Sequence, residues 1–202
     1  MDRENRGFAI AAGLLLLLPF VLFLQFFLMF RGLLAELSFL LYAAERIVLP
    51  GLAGFFLLLR KPRAAAIVMT LAALCVLVLE IPEIPRYLGP NGYLADLDEQ
   101  SGYAEWIPRA FVVVPILDIL GAVFFAAALY LRGRSALALA LLSAAAELGY
   151  MNRSLAAMNY VTGHPGPNAL FPIGLVLGAL FAGLYLRSLG KQTAEVKETE
   201  ED

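Results

Sequence analysis

Cysteine, histidine and lysine are nearly missing from this chain, and each scarcity removes a class of chemistry. The only cysteine, Cys75, lies inside an apolar run, so neither a disulfide framework nor a cysteine zinc site can form within the chain. An isolated thiol in that setting reads as a small buried hydrophobe. The single histidine, His164, cannot build a multi-histidine haem or metal centre. The three lysines, Lys61, Lys191 and Lys197, all sit in polar flanks, which leaves no amine inside an apolar segment for a retinal-type Schiff base. Charge is scarce as well: 16% of the 202 residues are charged against 61% hydrophobic, and mean hydropathy is +0.78. A chain of that composition is too apolar for a soluble globule and is expected in lipid.

What is present is a series of long apolar runs separated by short polar turns. Phe8 to Phe30 has 23 residues without a charge, enough to cross a hydrocarbon core of roughly 30 Å at about 1.5 Å per residue. It is longer than the apolar core of a signal peptide, and no small-x-small cleavage site follows it, so it reads as a retained first span. Arg31-Gly32 permits only an antiparallel return. The runs predict an all-α polytopic membrane helix bundle of about six transmembrane helices, at about 8–30, 33–59, 64–80, 110–131, 135–157 and 170–186. Together they make a single transmembrane domain over 1–189, with one substantial outer loop at 81–108 and an acidic tail at 190–202 that is expected to be disordered. The outer loop is rich in breakers (Pro82, Pro85, Pro90, Gly89, Gly92) and acids. Asp96, Asp98 and Glu99 lack the glycine and the terminal glutamate spacing of a calcium loop, so no metal is expected there.

Basic residues collect on one side. With the N-terminus inside, ten arginines and lysines fall on the inner side, among them Arg60, Lys61, Arg63, Arg132 and Arg134; only Arg31, Arg86, Arg109 and Arg153 fall outside. Both termini are therefore predicted to be cytoplasmic.

Against this background the acid-base pair Glu45-Arg46 stands out, since it lies in the middle of the second run, just before Pro50-Gly51. Asp118, three residues after Pro115, and Glu147, heading a polar stripe with Ser143, occupy the fourth and fifth runs. Counted from the outer ends, Glu45, Asp118 and Glu147 lie about 12, 9 and 10 residues deep, equal within roughly 5 Å. Four charges in one layer near the midplane are expected to face the bundle interior and one another, because a charge at mid-bilayer costs on the order of 3 kcal/mol even on lenient scales. Three ionised acids around one arginine leave an excess of negative charge, which calls for a proton or a cation.

Three functions fit such a layer. Glu45, Arg46, Asp118 and Glu147 could bind a proton, a cation or a small ligand in transport, with the proline bends allowing helix movement. The acids could perform proton transfer on a lipid-soluble substrate. The charges could also serve only to fix helix register in a scaffold or accessory subunit. No Ser-His, Cys-His or metal-ligand constellation accompanies them, and neither a cofactor nor a nucleic-acid partner is expected. Gly174, Gly178 and Ala182 form a small-residue ridge in the sixth run, suited to close helix packing and to a second copy or a partner subunit.

Overall fold

The computed structural model describes residues 3–29, 40–41, 43–88, 106–162 and 170–201, and these are all-helical apart from short turns. Helix α1 (Arg3–Met29) is followed by a π-helical turn at Ala44–Val48 that runs directly into α2 (Leu49–Leu58). Then come α3 (Pro62–Leu88), α4 (Trp106–Tyr130), α5 (Gly133–Thr162) and α6 (Leu170–Glu201). Each helix packs on its neighbour in sequence and α6 closes against α1, so the six rods form a ring.

Small residues set how closely the rods approach. Where α1 meets α2, a Cβ on Gly54 would stand 2.7 Å from the Gly13 carbonyl oxygen, so only glycine allows that contact. The α2–α3 turn is closed by Arg60 N–H donating to the Leu57 carbonyl (2.9 Å) and Lys61 N–H to that of Phe56 (2.8 Å). That is a Schellman cap, with Arg60 in the left-handed position (φ 58°) that glycine usually fills, and Pro62 then opens α3. At the α4–α5 turn the left-handed position is held by Gly133 (φ 74°).

The interior is built from alanine and medium-sized aliphatics such as Ala66, Ala72, Leu57, Ala128 and Ala179. The outward faces are apolar too. On α3, Ile67, Leu71, Leu74 and Val78 make an exposed stripe at helical spacing, each about half-exposed or more. Pro62–Pro82 in α3 and Ile173–Thr193 in α6 are long and apolar enough to cross a membrane, whereas Asn5–Val21 and Pro115–Tyr130 are apolar but shorter. This favours association with a membrane.

Several expected boundaries move. The third run does not stop at residue 80: α3 continues to Leu88 through Pro82 and Pro85, so the first part of the expected 81–108 loop is helix. Both prolines are exposed, and a helix tolerates proline where the freed carbonyls find other partners. Helix α4 begins at Trp106 and α5 extends to Thr162. The tail is not disordered as far as Glu201: its alanine, glutamate, lysine and glutamine are good helix formers and carry α6 onward. The Gly174–Gly178–Ala182 ridge receives α1 of the same chain. A Cβ on Gly174 would meet the Leu15 carbonyl oxygen at 2.8 Å, one on Gly178 would meet Leu16 at 2.7 Å, and Ala182 is fully buried. The surface expected for a second copy or a partner subunit is thus occupied within the chain. Asp96, Asp98, Glu99 and His164 lie outside the described residues.

Candidate functional site

The site starts from a break in a helix. Pro50 has no N–H to give to the Arg46 carbonyl four residues back, so the α-helical ladder cannot run through this point. The backbone widens into the π turn instead, and the Leu49 N–H bonds to the carbonyl of Ala44, five residues behind it. Wide turns of this kind recur at functional sites in other helices. Glu45, Arg46 and Ile47, all in this turn, are buried.

From here Arg46 reaches across the interior of the ring to helices that α2 does not neighbour in sequence. Its Nη1 donates to Glu147 Oε2 of α5 at 2.9 Å, and its Nη2 forms an ion pair with Asp118 Oδ1 of α4. The guanidinium carbon stands 4.0 Å from the centre of the Tyr150 ring, a cation–π contact. Glu45, next to it in sequence, is placed differently: the closest approach is Arg46 Nε to Glu45 Oε1 at 3.6 Å, too long for a hydrogen bond.

The supporting residues show why the acids can come so close. Gly121 of α4 leaves the space that Glu147 enters; a Cβ there would lie 2.6 Å from Glu147 Oε1. Ser143, one turn before Glu147, donates its hydroxyl to the Gly121 carbonyl at 2.8 Å and ties α5 to α4 at this level. Pro115, one turn before Asp118, is buried beside it.

All four residues singled out in the sequence, Glu45, Arg46, Asp118 and Glu147, thus meet around one guanidinium. Apart from Asn5 near the N-terminus, every buried polar or charged residue among those described belongs to this cluster or supports it. Arg46, Asp118 and Glu147 are 4%, 1% and 4% exposed, so the charges are separated from solvent. A cavity of about 20 Å³ adjoins them, lined also by Met69, Val76, Phe125 and Leu175. That is room for one or two waters. Among the described residues, no three His, Cys, Asp or Glu side chains are arranged to hold a metal ion.

The π turn and the role of Tyr150 were not anticipated. Pro50 signalled an interruption but not its form. Tyr150 is three residues after Glu147 and so on the same helical face, which is the pattern that would have found it.

Comparison with protein-family models, with curated proteins and with solved structures gives no match. The functional reading therefore rests on the chain's own geometry.

Proposed function

We propose that this chain is a small polytopic membrane protein of about six spans that binds or transports a proton, a cation or a small ligand at the cluster of Glu45, Arg46, Asp118 and Glu147. The observation that carries the reading is an excess of acid over base in a buried, helix-lined centre. Three carboxylates surround one guanidinium, and among the described residues the carboxylate oxygens of Glu45 and of Asp118 are buried without a hydrogen-bond partner.

Two further features support the bilayer as solvent. The exposed stripe of α3 is as apolar as its buried face, a pattern that suits lipid on the outside and would be a large hydrophobic patch in water. The exposed basic residues Arg60, Lys61, Arg63, Arg132 and Arg134 come from two turns, and Arg60 and Arg132 both lie near Tyr185. These turns form one basic end, which the positive-inside tendency assigns to the cytoplasm together with both termini. From Arg46 to Arg60, from Asp118 to Arg132 and from Glu147 to Gly133 the chain runs about 14 residues, or roughly 21 Å along a helix. In a hydrocarbon core of about 30 Å that sets the cluster somewhat outward of the midplane.

A second reading, a structural or accessory subunit, has one observation in its favour: Arg46 is held by Asp118, Glu147 and Tyr150, as a register-fixing network would be. Reconstituted liposomes separate the two. Under the transport reading, Asp118→Asn and Glu147→Gln each abolish pH-dependent binding or flux while the protein stays folded. Unchanged activity in both variants leaves the structural reading.

A further inference from the structure

The cluster divides into two unlike parts. Arg46 has a two-pronged fork, and both prongs are taken, Nη1 by Glu147 and Nη2 by Asp118. Glu45 receives only the edge of the guanidinium at 3.6 Å, and its side chain is entirely withdrawn from the surface. Among the described residues neither of its oxygens has a hydrogen-bond donor; the oxygens of Asp118 lack one too, but Asp118 Oδ1 is held in the ion pair with Nη2, whereas Glu45 meets no prong of the fork. A buried carboxylate left in that condition must lose its charge or acquire a partner.

The surroundings narrow what the partner can be. Among the described residues, cationic help comes from Arg46 alone, and the other titratable groups facing Glu45 are Asp118 on α4, Glu147 on α5 and Glu80 and Cys75 on α3. None of these supplies a strong donor such as an amide N–H or an ammonium: ionised carboxylates only accept, and a thiol donates weakly. The cavity beside Glu45 is about 20 Å³, which admits a water or two but not an amphipathic molecule or a cation with its hydration shell. A dehydrated cation would need several oxygens converging on one point, whereas the carboxylates here are spread around the guanidinium, and no such group occurs among the described residues. A proton requires no space and no converging ligands.

We propose that the occupant of this cluster is the proton, carried on the carboxylate of Glu45, with Asp118 and Glu147 serving as the fixed counter-charges of Arg46. This rests on the transport reading above and specifies its ligand. In the loading step, hydronium arriving through the water-sized cavity gives its proton to Glu45, forming a carboxylic acid and a water; release reverses the step.

Dicyclohexylcarbodiimide, which enters lipid and couples to protonated carboxyl groups in apolar surroundings, reads this directly. The full chain in lipid vesicles is treated in acidic and in alkaline buffer and the adduct is located by peptide mass spectrometry. The expected adduct is on Glu45, stronger in acid, lost entirely in Glu45→Gln and retained in Glu45→Asp. An adduct on Asp118 or Glu147 with none on Glu45 overturns the proposal while leaving a proton-binding cluster in place. No adduct on any of the three overturns it as well; the cluster reading then stands or falls on the Asp118→Asn and Glu147→Gln fluxes, which the labelling does not touch.

Discussion

Replacing Arg46 by leucine removes the one positive charge that three buried acids share, and the structure sets the scale of the loss. The substitution deletes the Nη1 hydrogen bond to Glu147 at 2.9 Å, the ion pair to Asp118 and the cation–π contact with Tyr150 at 4.0 Å. With both charged prongs at sites no more than 5% exposed, solvent cannot replace them. Breaking a buried pair by removing one partner costs about 3–5 kcal/mol, most of it the penalty of the carboxylate left behind. At about 1.4 kcal/mol per decade this shifts the unfolding equilibrium on the order of a hundredfold to a few thousandfold. Denaturant unfolding in detergent, followed by far-ultraviolet circular dichroism with size-exclusion chromatography as a control, measures it. Arg46→Lys keeps the charge but not the fork, so it loses less than Arg46→Leu. Adding Asp118→Asn and Glu147→Gln to Arg46→Leu recovers a large part of the stability, because the stranded charges are gone. An Arg46→Leu protein within about 0.5 kcal/mol of wild type, the range of an ordinary surface substitution, refutes the reasoning.

Two more outcomes follow from the fold and its proposed orientation. In a Cys75→Ala background, single cysteines replacing Lys61, Arg134 or Lys191 react with a membrane-impermeant maleimide only after right-side-out vesicles are opened; labelling of intact vesicles reverses the topology. Gly174→Ala places a Cβ 2.8 Å from the Leu15 carbonyl oxygen, so α1 must shift and thermal stability falls by about 1–3 kcal/mol, while Gly7→Ala, which lies inside α1 and meets nothing within 4 Å, leaves stability the same or raises it by up to about 1 kcal/mol.

Much of the helical layout and of the candidate site was legible because both depend on one-dimensional regularities. A charge inside an apolar run needs polar company, and Glu45, Asp118 and Glu147 lie similar numbers of residues, about 12, 9 and 10, from the outer ends of their runs. Counting alone puts them at one level. Helix ends were less legible. Pro82 and Pro85 look like stops in sequence, yet α3 passes through both, because whether a proline ends a helix depends on what its freed carbonyls meet. The polar composition of residues 190–201 suggested disorder, yet the same residues have high helix propensity and extend a helix already nucleated in the apolar part of α6. The ridge at Gly174 and Gly178 correctly announces a close helix contact but cannot name the partner, since α1 and a second chain would use the same small residues. Least legible was the division of labour among the acids. Glu45 adjoins Arg46 in sequence, and only the three-dimensional path of the guanidinium shows that Asp118 and Glu147 take its two prongs.

The central claim is that this layer takes up a proton rather than merely holding helices together. Flux into liposomes containing a pH-sensitive dye, driven by an imposed gradient, tests it most directly. The account predicts acidification by the wild-type protein and none by the folded Asp118→Asn/Glu147→Gln double variant. Equal traces from wild type, double variant and empty liposomes would contradict it.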